Sequence, residues 1–327
     1  MLSRRVSTGS TTKRKDTVMN NTYLVIGAGP VGATVAQQLA ARGDRVRLLT
    51  RSGSGPVDAG IERLRGDASD PDAVTRAAAG TRAVFHCMHG SAYAADAWRA
   101  ELPRAERVVL EAAGRAGAVV VFPESLYAYG HVTGTMTEET PRDATFGKAA
   151  IRVELLRARD ASPTPTVSVA ASDFYGPLVR NAHAGERMVP TVLAGRTMRV
   201  LGSPDAPHSW TYVPDLGAAM IRSADEESLW DSFLHAPTAP AISQRDLVRL
   251  YADVAGVTAP RVAAIPGWTL KAIGAVHAGT RELAEMVYQF EKPFVMDSSA
   301  SEARLGLSPT PLETGAKATV DWWRTQL

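Results

Sequence analysis

The segment Gly27–Gly32 reads G-A-G-P-V-G, which fits G-x-G-x-x-G, and it directly follows the apolar run Tyr23–Ile26. The first glycine permits a tight turn, the second lets the backbone approach a pyrophosphate, and the third lets a helix pack close to a strand. The helix N-terminus then offers free N–H groups to phosphates. In this strand–turn–helix setting the motif predicts a dinucleotide site, and the alternative is a purely structural turn. The predicted cofactor contacts in this turn are Gly27, Gly29, Pro30, Val31 and Gly32.

The end of the second predicted strand indicates which dinucleotide is bound. An acidic residue there would bind the adenosine ribose 2′-OH of NAD. This chain has Thr50, Arg51 and Ser52 at that place. A guanidinium and a hydroxyl suit a 2′-phosphate, which a carboxylate would repel. The sequence therefore favours NADP(H) over NAD, with Arg51 and Ser52 as contacts, against the alternative that Arg51 is an ordinary surface residue.

The elements that position these residues alternate between short apolar runs and helical patterns. Alternation of this kind predicts parallel βαβ units and a doubly wound α/β sheet of the Rossmann type. The predicted strands are Tyr23–Ile26, Val46–Thr50, Ala83–Cys87, Val119–Phe122 and Val167–Ala170. The predicted helices include Trp98–Ala116, Thr145–Arg159, Asp215–Ala224, Ser243–Ala255, Trp268–Val276, Arg281–Phe290 and Glu313–Thr325.

Composition and the positions of the prolines predict how the chain is divided into domains. Residues 1–18 are basic and lack an apolar core, which is typical of a disordered tail and not of a secretory signal. Residues 19–172 form the predicted NAD(P)-binding Rossmann domain. From about Asp173 prolines interrupt the pattern, so 173–327 is mainly a smaller mixed α/β substrate-binding lobe, with some elements returning to the Rossmann sheet.

Length, charge and cysteine content exclude several classes of protein. The chain has 327 residues, 45% of them apolar, which supports a sizeable core and excludes a mainly disordered protein. Its single cysteine cannot form an internal disulfide, which favours the cytoplasm. A net charge of +2 gives no strong attraction to nucleic acid. No apolar run is long enough to span a membrane, and no Cys/His cluster has metal-ligand spacing.

Several segments in order along the chain resemble the extended short-chain dehydrogenase/reductase family, the group of NAD-dependent epimerases and dehydratases. They are Asp67-Ala68, Val84–His89, Ser125–Gly130, Asp173–Pro177 and Trp210–Asp215. The resemblance covers nearly the whole chain from Tyr23. It implies that Asp67 and Ala68 contact adenine, that Cys87 and Met88 pass under the cofactor, and that Ser172 adjoins the segment beside the nicotinamide. It also implies a homodimer through two helices of each subunit.

The family's catalytic Tyr-x-x-x-Lys pair has no counterpart at the expected place. Counting back from Glu154, the equivalent positions are Phe146 and Ala150, which carry neither a transferable proton nor a charge. Lys148 lies two residues from Phe146, roughly 200° round a helix, and is expected to point away from the cofactor. The family's diphosphate-binding arginine is matched by His208, which lacks the bidentate fork.

Other groups remain as candidates for acid–base work. Ser125 is the family's catalytic serine, or else a turn serine bonded to backbone. Tyr127 lies two residues further on and is a substitute acid, while Glu124 is a base if it is desolvated. His86 and His89 flank Cys87, although strand-end histidines usually only satisfy local hydrogen bonds. Aromatic residues of the second half either line an apolar pocket or belong to the core. They are Trp210, Tyr212, Trp268, Met286, Tyr288 and Phe290.

These observations predict an NADP(H)-dependent oxidoreductase or epimerase-like enzyme acting on a small carbonyl or alcohol that is not a nucleotide sugar. Proton transfer would come from Ser125, Tyr127 or water. Two alternatives stay open. One is a redox-neutral isomerase, dehydratase, cyclase or lyase on the same scaffold, and the other is a non-catalytic dinucleotide-binding protein.

Overall fold

The computed structural model describes residues 21–327. The tail predicted for residues 1–18 lies outside the described residues. Within 21–327 the chain forms thirteen strands and twelve α-helices. The strands are β1 (Thr22–Ile26), β2 (Arg45–Thr50), β3 (Ile61–Arg65), β4 (Ala83–His86), β5 (Val119–Ser125), β6 (Thr166–Ala171), β7 (Asp173–Tyr175), β8 (Met198–Leu201), β9 (Pro207–His208), β10 (Trp210–Tyr212), β11 (Ser232–His235), β12 (Ile242–Ser243) and β13 (Val262–Ile265).

The helices alternate with the strands in the first half and dominate the second half of the chain. They are α1 (Pro30–Ala41), α2 (Pro71–Ala78), α3 (Ala95–Ala116), α4 (Gly147–Asp160), α5 (Val189–Leu193), α6 (Val213–Asp225), α7 (Gln244–Ala255), α8 (Gly267–Gly274), α9 (Ala278–Glu285), α10 (Tyr288–Glu291), α11 (Ser299–Leu305) and α12 (Leu312–Arg324). A short 3₁₀ turn, Leu126–Tyr129, follows β5 directly. No helix among residues 21–327 is long and apolar enough to cross a bilayer.

Seven parallel strands form the main sheet, in the order β11-β6-β5-β4-β1-β2-β3. The predicted Rossmann-type α/β fold is therefore confirmed. Neighbouring residues of β1 face opposite sides of this sheet, as the pleat requires. Tyr23 and Val25 pack into the core beneath α1 and α6, whereas Leu24 and Ile26 pack against α2 and α3. Because both faces are covered, the strands are apolar almost throughout.

The second half of the chain contributes to two places. The strand β11 pairs with β6 and α6 packs on α1, so these elements extend the Rossmann layer. The remaining elements surround a separate apolar cluster that includes Trp210, Tyr251 and Phe290. Small two-stranded sheets join β7 to β10, β8 to β13, and β9 to β12. This lobe lies beside the carboxyl end of β6, since β7 follows β6 after the single residue Ser172.

Two of the predicted helices differ from the structure in ways that matter for the site. The segment predicted as one helix, Arg281–Phe290, is divided between α9 and α10, with Met286 and Val287 in the break. The helix α4 begins at Gly147, whose φ of +43°, in the left-handed region, is tolerated by glycine. Phe146 therefore precedes the helix as its N-cap residue, with extended φ and ψ of −122° and 144°.

A buried ionic network fastens α3 and α4 to β5 beneath the site. The Arg159 guanidinium donates two hydrogen bonds to Glu106, at 2.7 and 2.9 Å, and one to Glu124 Oε2 at 2.8 Å. Arg159 also lies over the Phe122 ring, 3.9 Å from its centroid. Burial by itself would raise the pKa of Glu106, but the charge and hydrogen bonds of Arg159 outweigh it and hold that pKa below its usual value. The network sets the position of the end of β5, where Ser125 lies.

Candidate functional site

The glycine turn between β1 and α1 has the geometry that its sequence predicts. Gly27 has a φ of +96°, and a Cβ there would lie 2.8 Å from the Cys87 carbonyl oxygen. A Cβ on Gly32 would lie 2.0 Å from the Gly27 carbonyl oxygen, so only glycine lets α1 approach the turn. A Cβ on Gly29 would meet nothing within 4 Å. Open space therefore lies at the start of α1, where Pro30 is the first residue and no side chain caps the helix.

This turn fits the pyrophosphate of a dinucleotide. The uncapped N–H groups of Val31 and Gly32 begin a helix of twelve residues, whose dipole attracts anions to that end. Substitution of Gly27 or Gly32 would require the backbone to shift, whereas the space beside Gly29 is free. The residues present are thus suited to hold a phosphate group against the backbone.

The other predicted cofactor contacts lie along the same edge of the sheet, because the parallel strands all end there. Arg51 and Ser52 are exposed after β2, and Ser52 Oγ lies 2.6 Å from Ser54 Oγ. Within residues 21–327 no carboxylate lies within 4.0 Å of Arg51. At the end of the adjoining strand, Arg65 lies opposite Thr50 in the β2–β3 register. Arg51 and Arg65 therefore both lie beside the loop that follows β2.

The contacts predicted after β3 and β4 differ in accessibility. Asp67 is exposed, and its carboxylate accepts a hydrogen bond from the Ser69 N–H at 2.7 Å. Ala68 is buried in the core between the sheet and α2 and α3. Cys87 and Met88 are partly buried after β4. Burial raises the pKa of the Cys87 thiol, so it remains protonated and unreactive at neutral pH.

Ser172 lies between β6 and β7 and is 6% exposed. Its N–H donates to Thr211 Oγ1 at 3.0 Å, but its hydroxyl has no hydrogen-bond partner among the described residues. Buried hydroxyl groups are normally hydrogen-bonded. The free Ser172 hydroxyl lies at the carboxyl edge of the sheet and is suited to bind a ligand there.

Ser125 ends β5 and caps the 3₁₀ turn that follows. Its Oγ accepts a hydrogen bond from the Tyr127 N–H at 3.4 Å and lies 3.3 Å from Glu124 Oε1. Glu124 is 2% exposed and is paired with Arg159, and Arg152 Nε lies 3.5 Å from Glu124 Oε1. Both Glu124 oxygens thus face guanidinium groups, and this pairing fixes the end of β5.

Tyr127 belongs to an aromatic group with Trp98 and Tyr93. The Tyr127 ring stacks on Trp98 with centroids 6.2 Å apart, and its hydroxyl lies 2.9 Å from the Tyr93 hydroxyl. Tyr93 is 40% exposed, so the two phenols form a path from solvent to the interior. Burial, together with the nearby charge of Asp173, raises the pKa of Tyr127 well above its usual value. Tyr127 is therefore protonated at neutral pH, and it would give up its proton only to a strongly basic oxygen such as an alkoxide.

Lys148 packs against Tyr93, and the helical geometry used to predict its direction from Phe146 does not apply. That expectation assumed that Phe146 lies in the helix, whereas α4 begins one residue later. The Lys148 side chain is fully buried, and its Nζ lies 2.5 Å from Glu282 Oε2 and 3.3 Å from Glu285 Oε1. It also lies 4.8 Å from the centroid of the Tyr93 ring. The charge of Lys148 is thus brought beside the tyrosine pair.

A histidine and a carboxylate meet where β7 and β9 approach each other. His208 Nε2 lies 2.7 Å from Asp173 Oδ2, and His208 Nδ1 lies 3.2 Å from the Gln289 carbonyl oxygen. The His208 ring stacks on Phe290 with centroids 4.7 Å apart. Both ring nitrogens and one ring face of His208 are therefore engaged by neighbouring groups.

The sequence matches the model of the NAD-dependent epimerase/dehydratase family over residues 23–230. The chain belongs to this family. The resemblance drawn from the sequence motifs is therefore confirmed. None of the curated proteins matches the chain.

Solved structures of similar fold include several whose names refer to nucleotide sugars. MoeE5 in complex with UDP-glucuronic acid and NAD is 20% identical, with a TM-score of 0.75 over 94% of this chain and 100% of that one. The UDP-glucose 4-epimerase of the hyperthermophilic eubacterium Thermotoga maritima, with UDP-glucose, is 18% identical (TM-score 0.73; 93% and 99%). The structure of gox2253 is 22% identical (TM-score 0.77; 94% and 99%). At these identities the likeness establishes the shared fold.

Two residues of the candidate site in this epimerase/dehydratase-family chain, Tyr93 and Lys148, were not predicted from the sequence. Tyr93 lies 34 positions before its partner Tyr127, and no spacing rule relates the two. Lys148 was dismissed because the start of α4 was placed too early. Of the six aromatic and methionine residues considered for a pocket, Trp210, Met286 and Phe290 are buried in the core, whereas Trp268 is 71% exposed. Tyr288 lines a cavity with Phe146.

His86 is a buried residue with no catalytic partner. It is 3% exposed, and neither ring nitrogen has a hydrogen-bond partner among the described residues. Its ring instead packs edge-on against Phe122, with centroids 5.6 Å apart. Burial lowers the pKa of His86 to about 4. His86 is therefore neutral at physiological pH.

We expect His86 to make the fold sensitive to acid. Between pH 6.5 and about 4 the unfolded chain binds a proton at this histidine and the folded chain does not, so stability falls as the pH falls through that window. The shift corresponds to about 3 kcal/mol. Urea unfolding at pH 7 and at pH 4.5 should show a smaller loss of stability for His86→Leu than for the unmodified protein. Equal losses of stability in the two proteins would contradict the role assigned to His86.

Proposed function

We propose that this chain is an NADP(H)-dependent oxidoreductase that acts on a small carbonyl or alcohol and transfers its proton through Tyr127. The observation that carries the proposal is the tyrosine pair at the end of β5. Tyr127 Oη lies 2.9 Å from Tyr93 Oη, directly beyond Ser125, in the segment where the family has its catalytic serine. Phe146 and Ala150, aligned with the family's tyrosine and lysine, have no group that transfers a proton.

Four parts of the carboxyl edge support binding of the dinucleotide. The Gly27–Gly32 turn and the start of α1 would hold the pyrophosphate, with Pro30 and Val31 opening the helix. Asp67 and Ala68 would lie at the adenine, and Cys87 and Met88 beneath the cofactor. Ser172 would donate its free hydroxyl at the nicotinamide end. Once bound, the cofactor supplies or accepts a hydride at the substrate carbon.

The exposed Arg51 and the hydroxyl of Ser52 support NADP(H) as that cofactor. A 2′-phosphate would be attracted by the guanidinium, whereas the 2′-hydroxyl of NAD gains little from it. MoeE5 and the Bordetella bronchiseptica enzyme WbmH, two proteins of similar fold, have structures in complex with NAD, so NAD is the competing cofactor. A fluorescence titration with NADPH and with NADH distinguishes the two.

Charge reversal at Arg51 tests this choice. We expect Arg51→Asp to weaken NADPH binding by about tenfold or more, because it removes an attraction and adds a repulsion, and to leave NADH binding nearly unchanged. The control is Arg107→Asp, which reverses an exposed charge in the second half of α3. Equal losses for both cofactors, or the same loss in the control, would refute the assignment.

The proton would pass from solvent to the substrate through the hydroxyl groups of Tyr93 and Tyr127. During reduction of a carbonyl, the oxygen that becomes an alkoxide takes the proton of Tyr127 Oη, and Tyr127 is reprotonated by Tyr93 across their 2.9 Å contact. Tyr93 regains its proton from solvent, to which it is 40% exposed. The Lys148 ammonium lies 4.8 Å from the centroid of the Tyr93 ring, but it is paired with Glu282 and Glu285. The Ser125 hydroxyl is placed to hydrogen-bond the same substrate oxygen.

The Asp173–His208 pair supports a substrate that is not a nucleotide sugar. A diphosphate needs an uncompensated cation, whereas His208 Nε2 is already engaged by Asp173 at 2.7 Å. The Asp173 carboxylate would itself repel a phosphate. A small carbonyl or alcohol has no phosphate, so it needs no cation at this place and is not repelled by Asp173.

The decisive experiment follows NADPH stoichiometry with a panel of carbonyl substrates. An oxidoreductase consumes one NADPH for each molecule reduced, whereas a redox-neutral isomerase or dehydratase gives turnover without net NADPH consumption. Turnover without consumption would refute the proposal in favour of that second class. NADPH binding with no turnover of any substrate would favour a dinucleotide-binding protein.

Three expectations from the sequence accompany this proposal. We propose residues 19–172 as the cofactor domain and 173–327 as mainly the substrate lobe. We also propose a homodimer formed through α3 and α4, and a cytoplasmic location. Sedimentation analysis of the purified protein tests the dimer directly.

A further inference from the structure

A cavity of about 560 Å³ lies between the start of α4 and the hairpin formed by α8 and α9. This volume is within the range of sites that bind small organic molecules. One wall is aromatic and made of small residues, and the opposite rim is charged. The first wall contains His131, Phe146, Gly274, Ala275, Ala284 and Tyr288.

Three rings of the aromatic wall contact one another, and one of the three pairs, His131 and Phe146, is stacked. The His131 ring lies 4.3 Å from Tyr288 and 4.9 Å from Phe146, measured between centroids. The Phe146 and Tyr288 rings meet edge-on at 5.9 Å. Rings arranged in this way present both faces and edges to a further ring, and aromatic pairs gain energy beyond the area that they bury. The wall is therefore suited to an aromatic ligand.

The two acidic side chains at the cavity share one buried lysine. Glu282 Oε2 accepts hydrogen bonds from Lys148 Nζ at 2.5 Å and from the Ala95 N–H at 3.3 Å. Glu285 Oε1 accepts one from the Lys148 N–H at 2.9 Å and lies 3.3 Å from Lys148 Nζ. Lys148 therefore offsets one of the two negative charges, and an oxygen of each carboxylate is engaged away from the cavity.

The basic side chains at the rim are less compensated. The Arg281 Nε donates to the Gly274 carbonyl at 3.0 Å, and within residues 21–327 its guanidinium forms no salt bridge within 4.0 Å. Lys271 has only a long, exposed contact with Glu291 at 3.8 Å. Residues 254–281 moreover contain no aspartate or glutamate. The charges that this stretch contributes, Arg261, Lys271 and Arg281, are therefore all positive, and positive charge beside a cleft attracts anions.

We propose that this cavity binds an aromatic carboxylate, with the ring against Phe146 and Tyr288 and the carboxylate on Arg281. The guanidinium fork matches a carboxylate in two parallel hydrogen bonds, and Arg281 has its Nη groups free for them. The identification of this ligand as the substrate rests on the proposed function, but the binding itself does not. Glu282 and Glu285 line the cavity and contact Lys148, which lies beside Tyr93. On the proposed function, the reactive carbonyl or alcohol therefore belongs to an aromatic acid.

Two probes of equal size, 2-naphthoate and the uncharged 2-naphthamide, test the proposal by calorimetric titration of the full chain. We expect 2-naphthoate to bind about tenfold or more tightly than the amide. Arg281→Gln should remove this preference and leave amide binding unchanged. Phe146→Ala should weaken both probes alike. The control Lys271→Gln should change the preference by less than threefold, because Lys271 already contacts Glu291.

Four outcomes would overturn the proposal. They are equal binding of the two probes, binding of neither, a preference that survives Arg281→Gln, and tighter binding of 2-naphthylmethylammonium, which would mean that Glu282 and Glu285 select a cation. An NADPH titration of the same samples separates this from the proposed function. Loss of naphthoate binding with intact NADPH binding refutes only the cavity, and the reverse result refutes only the cofactor.

Discussion

Replacement of Arg159 by methionine is expected to lower the free energy of unfolding by about 3–5 kcal/mol. Arg159 is 2% exposed and makes three hydrogen bonds to Glu106 and Glu124, both of which are buried. Without it, two carboxylates remain in the interior with Arg152 as the remaining cation nearby. The uncompensated charge causes the loss, since methionine retains most of the packing volume.

The matched control for this prediction is Arg99→Met. Arg99 pairs with Glu154 at 2.8 Å between α3 and α4, but both side chains are at least half exposed. Exposed pairs of this kind contribute at most about 1 kcal/mol, because solvent screens them. Urea unfolding at pH 7 measures both variants. Similar losses for the two would mean that burial does not determine the strength of the network.

Replacement of Tyr127 by phenylalanine is expected to lower turnover by about 10²–10⁴-fold, which is the usual contribution of a positioned acid or base. The variant retains the ring that stacks on Trp98 and loses only the hydroxyl that contacts Tyr93. NADPH affinity should therefore stay within about twofold of the unmodified value. The measurement is NADPH consumption with a substrate identified in the carbonyl panel.

Tyr93→Phe is the comparison that distinguishes the relay from a single acid. Tyr93 is the outer phenol and is partly exposed, so water can replace its hydroxyl and the expected loss is only about tenfold. A loss for Tyr127→Phe no larger than that for Tyr93→Phe would contradict the order of the relay. Unchanged turnover in Tyr127→Phe would remove Tyr127 from the mechanism.

Much of the fold and the cofactor edge was predictable from the sequence. The apolar runs and the helical stripes of the first 172 residues depend on local periodicity, and β1, β2, β4, β5 and β6 lie where that periodicity places them. The glycine turn is determined by backbone sterics at Gly27 and Gly32, which operate within a few residues. Once the strands are parallel, their carboxyl ends must lie on one edge. The predicted contacts at Arg51, Asp67 and Ser172 lie along the same edge for that reason.

The catalytic and ligand-binding details depended on contacts between distant segments. Tyr93 meets Tyr127 only because α3 and the turn after β5 adjoin the same edge, and Lys148 meets Glu282 across 134 positions of sequence. The residue at which α4 begins was decided by Gly147 adopting a left-handed conformation, which no periodicity predicts. The sequence by itself thus determined the sheet and the glycine turn, while the missing counterpart of the family's tyrosine and lysine stays a prediction. The tertiary structure alone decided which polar groups replace them, because burial, charge compensation and close approach arise only when remote elements pack together.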